Sequence, residues 1–239
     1  MKNIFTRGGI EIIAVFIGIS GGLWSEKQSE LNKTLDSEKT ALLSIRESLV
    51  SDSSSVFGII ESINKEQINI DLFLKHISND TILSTKKLNS IMWDIVYFQY
   101  LVQDKSVYEA QVKNAGKKII QVDSVSAAIS SVYDGVYKHL DNVFMMQSDF
   151  MAVKTLDSFT NAGGYMDSKR FSISESLNQN QSLMFTTVFK DIKFISQLTF
   201  HYDTNFFIRN QYKWALRNIR YTISSINDYL DSQTRIIKI

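Results

Sequence analysis

Leu31 to Ile77 reads LNKTLDSEKTALLSIRESLVSDSSSVFGIIESINKEQINIDLFLKHI. Alternating steps of four and three along it land on Leu31, Leu35, Glu38, Leu42, Ile45, Leu49, Asp52, Val56, Ile59, Ile63, Glu66, Ile70, Phe73 and Ile77. Eleven of these fourteen positions are apolar, which is the pattern of a helix burying one narrow seam along its length. At 1.5 Å per residue the seam is roughly 70 Å long. Asp52-Ser53-Ser54-Ser55 looks like a loop, but the heptad phase continues across it, so it reads as a polar patch on an unbroken helix.

A second seam runs through Met184, Val188, Asp191, Ile195, Leu198, Tyr202, Asn205, Arg209, Tyr212, Leu216, Ile219, Ile223, Ile226 and Leu230. It matches the first in length. Between them the reading places a helix from Thr85 to Gln103, a short helix ending near Ala115, and a longer one from about Asp123 to Phe159 with Val125, Ile129, Val132, Val136, Leu140, Val143, Phe150 and Val153 inward. Ser78–Thr81 and Asn161–Gly164 supply turns, and the polar stretch to Gln181 is the longest loop. The chain has no proline, the residue that most reliably interrupts helices.

Ile10 to Leu23 is apolar except for Glu11, Ser20 and small residues. It is short for a membrane span of about 20 residues, but Ile4, Phe5 and Trp24 can extend it. A cleaved signal peptide, with Gly18-Ile19-Ser20 as the cleavage pattern, and a buried soluble helix are the alternatives. Glu11 argues against cleavage, as does the way the seam runs back through Trp24, Gly21, Ile17, Ala14 and Ile10. Lys2 and Arg7 precede the run, which places the N-terminus in the cytoplasm and the remainder outside it. The expected fold is therefore all-α: a transmembrane anchor over residues 1–25 continues into an up-down-up-down antiparallel four-helix bundle over residues 26–239, set outside the cytoplasm.

Composition narrows the function. With 26 Lys+Arg against 25 Asp+Glu there is no basic excess for nucleic acid, and with no cysteine there is neither a disulfide framework nor a thiol nucleophile. No phosphate-cradling loop, nucleophile elbow or Glu-x-x-His pair occurs, so no catalytic, cofactor or metal residues are assigned. His76, His139 and His201 read as surface or partly packed residues.

Three groups of candidate residues follow. Glu11, Ala14, Gly18 and Gly22 share one helix face, where small residues let two membrane helices approach closely. Aligning the two seams end to end sets Leu31 against Leu230 and Asp52 against Arg209, an expected buried pair that fixes register. Glu38 and Glu66, fourteen residues either side of Asp52, read as seam-edge residues reaching water or partners. Lys213, Arg217 and Arg220 continue from Arg209 as a basic strip, which this register would set near Glu47. The aromatic runs Trp93–Tyr100 and Phe185–Trp214 read as core, and Arg235 to Ile239 as a tail returning to the membrane surface.

Gly9-Ile10-Glu11-Ile12-Ile13-Ala14-Val15-Phe16-Ile17-Gly18-Ile19 with Trp24-Ser25-Glu26 resembles the anchor of a bacterial single-pass membrane family known only as a domain of unknown function, Ser25 replacing its usual Asn. Val107-Tyr108-Glu109, Asn114-Ala115-Gly116 and Lys118-Ile119-Ile120 resemble that family's central segment. The resemblance implies a single-pass envelope protein of the bacterial inner membrane, with its bundle in the periplasm, and carries no activity. The expectation is a non-enzymatic scaffold or accessory subunit without a cofactor, touching membrane lipid and either further copies of itself or a membrane protein partner. A sensor-like bundle that binds a ligand and signals through a partner is the alternative.

Overall fold

The computed structural model describes residues 2–113, 119–164 and 187–236, with side chains from Val15 onward in the first helix. Helix α1 spans Lys2–Ile77 without a break, α2 Thr85–Val96, and α3 runs from Ser106–Tyr108 into a π-helical turn at Glu109–Lys113. Helix α4 is a continuous rod made of Asp123–Ser130, Tyr137–Met146 and Lys154–Asn161, with π-helical turns at Ser131–Val136 and Gln147–Val153. Helix α5 spans Ile192–Ile236. The described residues contain no strand, and the chain is all-α.

The side-chain pairings give the direction of each limb. Glu38 and Glu66 of α1 meet Tyr229 and His201 of α5, so these two helices are antiparallel. Glu38 and Asp52 meet Gln121 and Tyr137, so α4 climbs in the same direction as α1. Thr155 and His139 of α4 meet His201 and Gln211, which makes α5 antiparallel to α4 as well. The limb through α2 and α3 descends, with Asp94 beside Lys65 and Asn69, and Asp104 beside Ser48. The up-down-up-down order is therefore the observed one.

The descending limb corrects the expected helix from Thr85 to Gln103. Helix α2 stops at Val96, and residues 97–105 are non-helical, beginning with extended Tyr97 (φ −96°, ψ 116°). The reason is distance. Between its contacts at Asn69 and at Ser48 the limb must cover about 30 Å of α1, which ten residues reach when extended but not as a helix of about 15 Å. The run Val96-Tyr97-Phe98-Gln99-Tyr100-Leu101-Val102 favours that conformation, being aromatic and β-branched. Phe98 and Tyr100 lay their rings against Phe144, while Tyr97 and Tyr100 stay exposed rather than entering the core.

The α1 seam is buried from Glu38 to Phe73, while Leu31 and Leu35 are exposed. The serines at 54 and 55 satisfy their hydroxyls within the helix by donating to the carbonyls of Val50 and Ser51. In α5 one of the two expected rows is right throughout, and of the other only Leu216 is buried. Leu198, Asn205, Tyr212, Ile219 and Ile226 are buried, but the alternate row is Phe194, His201, Ile208, Ala215 and Thr222. The bulkier Ile195, Tyr202, Arg209 and Ile223 flank the seam half-buried. Small Ala215 and Thr222 let the rods approach, and Thr222 Oγ1 reaches the Ala128 carbonyl of α4 at 3.3 Å. Met184 lies outside the described residues. Phe200, Phe206, Phe207 and Trp214, expected in the core, are exposed.

Each π-helical turn of α4 accommodates one extra residue, so neighbours face inward together: Val132 with Tyr133, Val136 with Tyr137, and Met151 with Ala152. Val153 is turned outward instead of into the core. At the tops of the limbs Asn79 takes the left-handed conformation (φ 66°), and Gly164 closes α4 where any side chain would strike the Phe159 ring.

Below Glu38 nothing in the described chain covers α1. Residues 15–37 are all exposed, and the helix projects about 50 Å past the bundle. Among the described residues no helix is long and apolar enough to cross a membrane.

Candidate functional site

The three acidic interruptions of the α1 seam are buried, at 2 % exposure for Glu38 and 4 % each for Asp52 and Glu66. This corrects the reading of Glu38 and Glu66 as seam-edge groups reaching water. A carboxylate at a seam position points where its apolar neighbours point, so it must find donors there or stay unpaired at high cost. Each finds a different donor.

Glu38 takes two. The backbone N–H of Gln121 donates to Oε1 at 2.7 Å and the Tyr229 hydroxyl to Oε2 at 3.1 Å, while Gln233 Nε2 donates to that hydroxyl at 3.0 Å. Asp52 accepts from the Tyr137 hydroxyl, a residue fully enclosed between the helices. Burial pushes the Asp52 carboxyl above its ordinary range, the Tyr137 hydrogen bond pulls the other way, and the nearby Asp104 charge adds to the rise. Tyr137 is itself driven well up by burial and then by the Asp52 charge. It continues a row of phenols. Tyr108 stacks on Tyr133 at 4.4 Å between ring centroids, Tyr133 meets Tyr137 edge-on at 5.2 Å, and burial raises Tyr133 to about 12.

Glu66 pairs with His201 Nε2 at 2.5 Å, and Thr155 Oγ1 sits 2.9 Å from Nδ1 of the same ring. All three are buried, which corrects the reading of His201 as a surface or partly packed residue. His139 and His76 are partly buried; His139 bonds Gln211 at 2.9 Å and meets the Trp214 ring. The hydroxyl–imidazole–carboxylate order is that of a nucleophilic triad. Thr155 is wholly enclosed, and the arrangement acts as a buried clasp between α1, α4 and α5. Glu66, Asn69, Thr155, His201 and Asn205 lie between two apolar clusters, one ending near Ile63 and Ile208, the other starting near Ile70, Phe159 and Leu198. Both amide atoms of Asn205 are buried without a protein partner.

The expected Asp52–Arg209 pair does not form. Arg209 Nη1 donates to Asn64 at 2.9 Å and to Gln67 at 3.3 Å, and its guanidinium lies over the Phe206 ring. Asn64 is twelve residues beyond Asp52 along α1, about 18 Å away. The two seams are not matched end to end, because α1 overshoots α5 at the base; Glu38 faces Tyr229 and Glu66 faces His201, which slides Arg209 upward. Lys213, Arg217 and Arg220 are exposed on α5. Gly18 and Gly22 lie on the projecting part of α1 with open space beside them, and the side chains of Glu11 and Ala14 fall outside the described residues.

Among the described residues no group of three His, Asp or Glu side chains is placed to hold a metal ion. A groove of about 360 Å³ opens at the base of the bundle between α1 and α5, lined by Leu35, Leu42, Arg46, Tyr229 and Leu230. No family model, curated protein or solved structure matches this chain.

Proposed function

We propose that this chain is a non-enzymatic envelope protein: a helical rod held to a bilayer by the foot of α1 and acting through protein–protein contact, as a scaffold or accessory subunit. The observation that carries the reading is the uncovered lower part of α1. Val15, Phe16, Ile17, Ile19, Leu23 and Trp24 spread over more than half of that helix's circumference, with Gly18, Gly21 and Gly22 on the remainder, and all six are exposed. An amphipathic helix docked on one partner would be apolar on one stripe only, whereas a helix apolar all round is one surrounded by lipid or protein. The apolar run begins at Ile10, and the anchor segment resembling the single-pass family falls on the same residues. Lys2 and Arg7 ahead of it favour a cytoplasmic N-terminus and a periplasmic bundle.

The bundle supports contact rather than chemistry. Its buried acids, Glu38, Asp52 and Glu66, are each engaged by donors inside the core. A ligand-sensing role has one observation in its favour, the basal groove beside Arg46, whose Nε is buried without a protein partner.

Flotation with liposomes tests the anchor. The full chain is expected to rise with the vesicles and to resist carbonate extraction, and a variant carrying Ile13→Asp, Phe16→Asp and Ile19→Asp to stay behind. A wild-type chain that remains in the soluble fraction overturns the proposal.

A further inference from the structure

The outer face of α5 carries a row at seven-residue spacing: Lys193, Phe200, Phe207, Trp214, Tyr221 and Asp228. All six are exposed, the four aromatic side chains at 55, 50, 38 and 68 %. Seven residues are nearly two helical turns, so the row forms a straight ridge about 30 Å long between its outer rings. Single exposed apolar residues are ordinary, but a contiguous ridge marks an interaction surface.

The charge pattern identifies the occupant. The row is basic at one end and acidic at the other, with only aromatics between. We propose that the ridge pairs with the same ridge of a second copy, the two α5 helices running antiparallel about a two-fold axis. That operation sets Phe200 against Tyr221, Phe207 against Trp214, and Lys193 against Asp228, each twice. The flanks agree with it. Antiparallel helices bring identical flank positions together, and on one side of the ridge the exposed residues include Asp203, Asn210 and Arg217. The same operation sets Asp203 opposite Arg217 and Asn210 opposite itself. On the other side lie the uncharged Thr204, Gln211 and Asn218, so no like charges meet. Parallel pairing would put Lys193 on Lys193 and Asp228 on Asp228. Among the described residues none of Lys193, Asp203, Arg217 and Asp228 has a salt-bridge partner.

The size is adequate. Four half-exposed aromatic residues would bury roughly 400 Å² per copy, and the flanks bring this toward the about 800 Å² per partner of a standard interface. In this dimer the two α1 extensions leave in opposite directions, so it bridges two surfaces rather than standing on one. The pairing concerns α5 alone and does not require the anchor.

The test uses the full chain in a non-ionic detergent. Because the chain has no cysteine, single Asp203→Cys and Arg217→Cys variants can be oxidised separately and mixed. A covalent dimer is expected from the mixture and not from Asp203→Cys alone. Asp203→Arg is expected to weaken dimerisation about tenfold or more, and adding Arg217→Asp to recover most of that loss. All these positions are exposed, so folding is unaffected, and helical content by circular dichroism confirms it. A monomeric wild-type chain, a dimer cross-linked by Asp203→Cys alone, or a charge swap that fails to recover dimerisation overturns the inference.

Discussion

Removing the Tyr137 hydroxyl tests the reading of the buried carboxylates most sharply. In Tyr137→Phe the ring still fills its place, but Asp52 loses the donor it meets inside the core. A hydrogen bond to a charged acceptor contributes about 1.5–3 kcal/mol, and at the midpoint of that range, about 2 kcal/mol, a chain of this size loses roughly 4–8 °C in Tm. The cost must depend on pH. Burial already holds the Asp52 carboxyl above its ordinary 3.8, so the folded chain binds that proton more tightly than the unfolded one. The contribution of Asp52 is therefore most favourable below pH 3.8 and is lost as pH rises through the raised value. Tyr137→Phe removes the interaction that pulls this value down, so its penalty starts near about 1 kcal/mol at acid pH and widens toward neutrality. Urea unfolding followed by far-ultraviolet circular dichroism at acid and neutral pH measures both ends. Asp52→Asn, which keeps an acceptor for the phenol and removes the charge, should flatten the dependence and shrink the cost of Tyr137→Phe. An equal loss at both pH values, or the same loss in the Asp52→Asn background, would refute the account.

Three further outcomes follow from the packing. His201→Ala strands Glu66 inside the core and is expected to cost about 3–5 kcal/mol in chemical denaturation, whereas substituting His139 costs under about 1 kcal/mol. Asp52→Asn and Arg209→Ala should be additive within about 0.5 kcal/mol, because the two sites share no partner; strong coupling would restore the pairing that the register excludes. Leu42→Ala, at a fully buried seam position, should cost about 2–5 kcal/mol by the same assay, while Leu31→Ala on the uncovered part of α1 leaves bundle stability within about 0.5 kcal/mol.

The seam of α1 was legible because a heptad repeated without interruption constrains every position from Glu38 to Phe73. The α5 seam was half legible. Both candidate rows are helical in spacing, and Ile195, Tyr202 and Ile223 look more like core than His201, Ala215 and Thr222 do. What selects the smaller row is the partner: Glu66 needs the imidazole, and α4 needs room. Register failed for a related reason, since matching two seams by their ends assumes that both are used to their ends, and α1 is not. The break at Val96 depends on where Asn69 and Ser48 stand in space, which no local pattern encodes. The aromatic ridge of α5 was hidden in a run read as core, although its seven-residue spacing with opposite charges at the ends was there to be counted.

The carboxylates at 38, 52 and 66 stand two heptads apart, each seated against a different neighbour. Greasy stripes alone tolerate slippage by whole repeats, since one leucine fits a hole much as the next does. A single-heptad shift of α1 would drag three anions into dry, donorless slots at once. The rod is thus keyed like a notched shaft: sliding α1 along its neighbours unseats all three carboxylates together.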